Sequence, residues 1–369
     1  MTSPAAARRH LIALNSGTHL SRDSICRLAL GLAEWVVCSD SGESFAHHLG
    51  VPSRDLEKAR RLISASRQLL ATQVQQSERI GCEILTFLDD RYPQTLLQLE
   101  LPPPVLYVQG RIPRRPAVAI VGSRKATPAG LETARLFSRK LASCGVAIVS
   151  GFARGIDLAA HQGALEAPGG LTLAVLGCGL DIDYPKRRAR TRRAIASQGA
   201  LISEFPLGAR PAPLNFPIRN RIIAALAIGT LVVQGTPKSG SLITARQALD
   251  LGRDVYAIPG SIFDERSAGP NSLIRDGALL VQSPEEIVQS LPCRVREALA
   301  ELPQLAIPIP VAAPAGQLLH DLEPALPVTA DHLAGSTGMP VDRVHSLLLE
   351  LEVSGHVRRL PGGLFCRRL

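Results

Sequence analysis

With 369 residues, 46% of them hydrophobic and 20% charged, the chain has an ordinary globular composition with room for one large domain and smaller attachments, which excludes the disordered, collagenous and coiled-coil classes. No apolar run reaches the ~18 residues of a membrane span, and Arg8–Leu14 is too short for a signal-peptide core. Seven cysteines never closer than twelve positions leave neither a zinc knuckle nor a redox CxxC, so a cytoplasmic protein without metal site or membrane partner is expected.

Charge is informative once located. Residues 110–290 carry 23 Lys/Arg against 13 Asp/Glu, which accounts for the whole net charge of +9. A polyanion, if bound, is therefore bound in the middle of the chain. Of the 41 basic residues 36 are Arg, which favours forked phosphate contacts, although a GC-rich genome would produce the same bias.

In chain order, residues 1–75 show helical periodicity without strands (Ile25, Leu28, Leu32; Leu56, Ala59, Leu62, Ile63), predicting a small helical domain. Residues 76–291 repeat another pattern. Short β-branched runs begin near Ala117, Val146, Leu171, Ala200, Thr230, Asp254 and Ala278. Most are followed by a glycine-bearing turn and a helical segment such as Pro128–Ala142, Ile156–Glu166 or Ser241–Leu251. Apolar strands alternating with helices predict an α/β fold, a doubly wound, Rossmann-like parallel sheet with binding loops at the carboxyl ends of its strands. Residues 292–316, rich in Pro and Ala, read as an extended linker. In 317–369, helical stretches at Leu318–Leu322, Ala330–Gly335 and Val341–Glu352 precede two short strands about Gly362-Gly363, a winged-helix pattern.

Several strand-to-helix loops carry binding chemistry. Val121-Gly122-Ser123-Arg124 closes the first strand with Arg124 aimed over the strand ends. In Ser150-Gly151-Phe152-Ala153-Arg154-Gly155-Ile156-Asp157 two glycines admit a ligand to the backbone; Asp157 and His161 are otherwise a capping residue and a helix-surface histidine. Gly235–Ser241 has the glycine spacing of a phosphate loop, but Ser241 replaces the lysine that nucleotide hydrolysis needs, so it is either a phosphate cradle or a tight turn. Phe216-Pro217-Ile218-Arg219-Asn220-Arg221 sets an aromatic beside two Arg and an Asn, as unpaired bases and their phosphates require; the alternative makes Phe216 a hydrophobic staple before helix Ile222–Ile228. The run Lys186–Arg193 is a solvated helix face or an extension of a nucleic-acid track. No GxGxxG occurs, and no cofactor is expected.

Taken together these motifs resemble the DNA-processing protein A family, also called Smf. The resemblance runs from Arg91 to Val281, through Tyr92-Pro93, Pro104–Tyr107, VGSR, SGFARGID, Ala160-His161, Tyr184-Pro185, Ser203-Glu204, FPIRNR, SGSLITA, Pro259-Gly260 and Gly269 to Ala278, in one order. It implies a homodimer that binds single-stranded DNA in a basic pocket, without catalysis, and loads the recombinase RecA during natural transformation. The two ends are similar to the family's sterile-alpha-motif-like and winged-helix appendages. Carried over residue by residue, Gly122, Ser123 and Arg124 match the first pocket loop, and Ser150, Gly151, Gly155 and Asp157 the second. Phe216, Arg219, Asn220 and Arg221 match the base-stacking and phosphate-binding segment, and Lys238, Ser239, Gly240 and Ser241 the last loop.

Two rival readings come from other classes. An enzyme resembling the phosphoribohydrolases of the related Rossmann group would need a catalytic acid in the loop after the Thr230 strand, and none lies between Gly235 and Asp250. A duplex-reading transcription factor would use Val341–Glu352 as its recognition helix, but Asp342, Glu350 and Glu352 oppose a single Arg343.

Overall fold

The computed structural model describes residues 4–17, 20–31, 50–301, 318, 322, 327–353, 357–360 and 362–367, in two compact units, 1–305 and 306–369. The first unit opens with α1 (Pro4–Asn15), α2 (Arg22–Leu30), α3 (Ser53–Ser64) and α4 (Ser66–Ile80), followed by β1 (Glu83–Thr86) and β2 (Val105–Gly110). Strands and helices then alternate: β3 (Ala117–Val121), α5 (Pro128–Ser143), β4 (Ala147–Ser150), α6 (Ile156–Glu166), β5 (Thr172–Val175), α7 (Ala189–Ser197) and β6 (Gly199–Ser203). The series continues with α8 (Asn215–Leu226), β7 (Gly229–Val232), α9 (Gly240–Asp250), β8 (Asp254–Ala257), α10 (Ala268–Arg275), β9 (Leu279–Leu280), α11 (Pro284–Ser290) and α12 (Cys293–Ala300).

One sheet runs β1-β2-β6-β5-β4-β3-β7-β8-β9. The strands from β6 across to β9 are all parallel, while β2 joins β6, and β1 joins β2, in antiparallel register. The central strands are largely apolar because both faces are covered. Val118 and Ile120 of β3 pack with Phe137, Leu141 and Ile156 on one face; Ala119 and Val121 pack with Ile222, Ile223 and Ala245 on the other. The β1–β2 extension, which the strand pattern from Ala117 onward did not include, lies beside the N-terminal helices. Leu11, Leu14, Ile25 and Leu28 share a buried cluster with Ile84, Val105, Tyr107 and Leu207. Asn15 Nδ2 donates to the Glu204 carbonyl at 3.0 Å, and Arg22 Nη1 to the same oxygen at 3.3 Å.

The expected extended linker differs at its start. Cys293–Ala300 is helical, its sequence CRVREALA containing no proline, and Leu299 is buried against the core. The Pro-rich remainder, 302–316, lies outside the described residues. In the second unit β10 (Val328–Thr329), α13 (Ala330–Thr337), α14 (Val341–Val353), β11 (Val357–Leu360) and β12 (Leu364–Arg367) form a three-stranded sheet, order β10-β12-β11, with its helices. Gly362 and Gly363 turn the hairpin at φ +85° and +72°, the left-handed region that glycine tolerates. Of the expected helix Leu318–Leu322 only its two end residues are described; both are buried in the unit's core with Leu333, Leu348 and Phe365.

Candidate nucleic-acid interface

Helix α5 carries the chain from β3 toward β4 on one side, and α9 carries it from β7 toward β8 on the other. β3 and β7 are neighbours, so the loops leaving their carboxyl ends diverge and open a crevice, the position at which doubly wound sheets bind ligands. A cleft of about 1450 Å³ occupies it. Gln234 ties its two sides together. Its carbonyl accepts from Ser123 N at 2.7 Å, and its side chain exchanges hydrogen bonds of 3.0 Å with Thr127 N and Thr127 Oγ1.

Of the expected site residues, Gly122, Ser123, Arg124, Asp157, Phe216, Arg219, Asn220, Ser239, Gly240 and Ser241 line this cleft. Helix α8 starts at Asn215, not at Ile222, because Pro217 is accommodated in a first turn. Phe216, Arg219, Asn220 and Ile223 therefore share the cleft-facing side. Phe216 is half-buried, its ring 5.5 Å from the Tyr184 ring between centroids, with the exposed Arg124 guanidinium carbon 5.1 Å from its centroid. A second hollow of about 570 Å³ lies beside Phe216, lined by Gly151, Cys178, Arg154 and Lys186 among others. Phe216 and Arg124 border both spaces.

Arg219, expected to bind phosphate, is engaged by backbone in this structure. It is 3% exposed, and Nη1 donates to the Gly151 carbonyl at 2.6 Å and to the Val175 carbonyl, tying the ends of β4 and β5 together at the cleft floor. A Cβ on Gly151 would come within 2.7 Å of that guanidinium, so this glycine makes room for an arginine of the same chain. Burial pushes Arg219 down to about 10, against the favourable charge of Asp157 and reinforced by Arg124. It stays charged at neutral pH. The Asp157 carboxyl is raised by burial, with Arg219 and a 3.2 Å hydrogen bond from Ala153 N acting the other way.

Other expected site residues also have structural employment. Arg221 points away from the cleft: Nη2 meets Glu204 Oε2 at 2.5 Å and Nη1 donates to the Leu101 carbonyl at 2.8 Å. Ser150 is fully buried and donates to the Ile120 carbonyl at 2.6 Å. Gly155 has φ +84°, and a Cβ there would overlap the Ser123 carbonyl, so it lets two loops touch. Lys238 is exposed at a loop tip and lines neither space. His161 is buried, not on the helix surface: its Nδ1 is 2.7 Å from Thr172 Oγ1, and burial, with Arg219, pushes it down to about 3. In the basic run Arg192 turns inward to the Leu180 and Ile182 carbonyls, while Arg187, Arg190 and Arg193 are exposed.

The sequence reading did not select Lys125, Tyr184, Phe263 or Arg266, which also line the cleft. Charge is unevenly distributed over the walls. Arg124, Lys125, Arg154 and Lys186 lie about the second hollow with no acid among its lining residues. The opposite rim carries Asp264, Glu265 and Arg266, with Asp264 Oδ1 3.0 Å from Arg266 Nε. Among the described residues no group of His, Cys, Asp and Glu is placed to hold a metal, and no helix is long and apolar enough to cross a membrane.

Sequence comparison matches residues 83–292 to the family described as DNA recombination-mediator protein A and residues 286–363 to the DprA winged helix domain. Protein Smf of Escherichia coli K12 is 40% identical over 316 residues, 84% of this chain and 83% of that protein. DNA processing protein DprA of Streptococcus pneumoniae is 42% identical over 205 residues, 55% of this chain and 72% of that protein. An X-ray structure of DprA from S. pneumoniae superposes with TM-score 0.67 at 34% identity, covering 77% of this chain and 98% of that one. A structure of DNA processing protein A from Helicobacter pylori, described for its single-stranded DNA binding mode, superposes with TM-score 0.51 at 29% identity, covering 57% of this chain and 95% of that one. On the extent of these matches, over the Rossmann-like sheet and the winged helix alike, the chain belongs to the DprA/Smf family of DNA-processing proteins.

Proposed function

We propose that this chain binds single-stranded DNA in the switch-point cleft, does no chemistry on it, and passes it to RecA as a cytoplasmic homodimer serving recombination and natural transformation. The observation that carries the reading is the Arg124–Phe216 pair. A partly exposed ring beneath a movable guanidinium is what a base can stack on, and Lys125, Arg154 and Lys186 beside it suit the adjoining phosphates. A cleft of about 1450 Å³ exceeds the ~300–1,000 Å³ usual for small ligands, which suits a polymer. The H. pylori relative, described as binding single-stranded DNA, supports the same ligand class.

The phosphoribohydrolase-like alternative gains little from the site. Asp157 lines the cleft but is buried and accepts a hydrogen bond from Ala153 N, and Asp264 is held below its ordinary value by its hydrogen bonds from Arg266. With Asp157 engaged by Ala153 N and Asp264 by Arg266, neither is free to trade protons with a substrate. RecA transfer and dimerisation rest on family membership. In the winged helix α14 carries Asp342, Glu350 and Glu352 against Arg343, a balance that suits a protein partner better than a phosphate backbone.

The test is binding of the full chain to single-stranded and duplex oligonucleotides across a salt series, with nucleotide hydrolysis followed alongside. Preference for the single strand, a steep fall with salt and no turnover are expected. Equal affinity for duplex, or hydrolysis above background, overturns it.

A further inference from the structure

Besides Phe216 and Tyr184, the cleft has a further aromatic on a different wall. Phe263 is 93% exposed and its neighbour Ile262 86%, yet Phe263 lines the same space as Phe216. Leaving such side chains in water forgoes the stabilisation that burial would give them. The exposure is not that of a loosely attached loop. Gly260 N donates to Asn271 Oδ1 at 3.1 Å and Asn271 Nδ2 returns a bond to the Gly260 carbonyl at 2.9 Å. Within the turn, Asp264 N donates to the Ser261 carbonyl at 3.1 Å, and its far end is pinned where Gly235 N donates to the Arg266 carbonyl at 2.6 Å. Both ends are braced, one against α10 and one against the loop after β7.

The chemistry of this rim separates it from the other. Asp264 compensates Arg266, and Glu265 is exposed, so the turn offers no net positive charge to a phosphate. The opposite rim holds Arg124 and Lys125, which with Arg154 and Lys186 also line the adjoining second hollow. A strand lying in the cleft with its phosphates along the cationic rim turns its bases toward the Ser261–Arg266 turn.

Resting on the single-strand reading above, we propose that this turn is a second base-binding wall, with Phe263 as a stacking platform for a nucleotide beyond the one at Phe216. It extends the footprint through base contacts and adds nothing to phosphate neutralisation.

The test compares full-length wild type, Phe263→Ala and Phe263→Trp on fluorescein-labelled oligo(dT) of about 6 and about 20 nucleotides across a salt series, with molar mass by light scattering. Phe263→Ala should weaken the longer oligomer about fivefold or more, the shorter one much less, leaving salt slope and molar mass unchanged; Phe263→Trp should restore affinity. Wild-type affinity of Phe263→Ala for both lengths overturns the proposal. So does a loss of affinity accompanied by a lower molar mass, which would make Phe263 a subunit contact. If wild type binds neither oligomer, the single-strand reading itself fails and the proposal falls with it.

Discussion

Replacing Arg219 by Met should unfold the protein more readily long before it tells anything about DNA. The side chain is 3% exposed, and the substitution strips the Gly151 and Val175 carbonyls of a donor while removing one of the favourable charges near the buried Asp157 carboxyl. Each carbonyl left buried without its donor costs about 1–3 kcal/mol, and the loss of the favourable Arg219 charge near Asp157 adds to that. Against a domain stability of about 5–15 kcal/mol this is a substantial share of the total. Urea unfolding followed by circular dichroism should show a lower midpoint, and Arg219→Met with Asp157→Asn should recover much of the loss, because no uncompensated charge is then left inside. The reasoning is refuted if Arg219→Met keeps its stability within about 0.5 kcal/mol and instead lowers the salt slope of single-strand binding by about one, the signature of a phosphate contact.

Phe216→Ala should weaken single-strand binding by ~1–3 kcal/mol with the salt slope unchanged, since a platform is lost and no charge; a changed slope in the same titration would contradict this. Arg221→Ala should leave the salt slope alone and lower stability by about 3 kcal/mol or more in urea, by orphaning Glu204, whose side chain is 1% exposed. His161 titrates near 6.5 in the unfolded chain but only at about 3 when folded, so its stabilisation is complete above pH 6.5 and is lost as pH falls, at up to ~1.4 kcal/mol per unit. The raised Asp157 acts in the opposite sense and is common to both proteins, so His161→Gln should show a flatter loss of stability than wild type between about pH 6 and 4; parallel curves would count against it.

The parallel sheet was legible because apolar strands separated by amphipathic helices write their period plainly, and each run from Ala117 to Ala278 is a strand. The β1–β2 extension was not, since its strands are paired antiparallel and lie outside that period. At the site the limiting step was a helix boundary. With α8 started at Ile222, the arginines of FPIRNR look equivalent; started at Asn215, the 100° per residue separates Arg221 from the face shared by Phe216, Arg219 and Asn220. Pro217 in a first turn was the available signal. Arg219 could not be distinguished from a phosphate ligand by type or spacing, because its partners are carbonyls at the ends of β4 and β5, brought together only by the fold. Phe263 was passed over because nothing adjacent to it in the chain is basic except Arg266, which Asp264 holds.

The docking of the N-terminal helices on the sheet edge bears on how the molecule comes apart. Leu11, Ile12, Leu14, Ile25 and Leu28, fully buried in the cluster that reaches Tyr107 and Leu207, contribute on the order of 10 kcal/mol at ~1.5–3 kcal/mol each, as much as a whole domain's net stability. The first 75 residues, which helical periodicity sets apart as a module, thus supply an energetic share that the sheet edge cannot replace from water. Helices and sheet should therefore exchange as a single cooperative unit, and trimming the chain to the Rossmann-like segment alone removes a wall of its core rather than an accessory. The connection reaches the site as well: Asn15 and Arg22 hold the Glu204 carbonyl, the Glu204 carboxylate holds Arg221, and Arg221 sits on the helix that presents Phe216. Local opening at the N terminus therefore loosens the grip of α8, so that the rigidity of the stacking platform is set in part by a segment that never meets the strand.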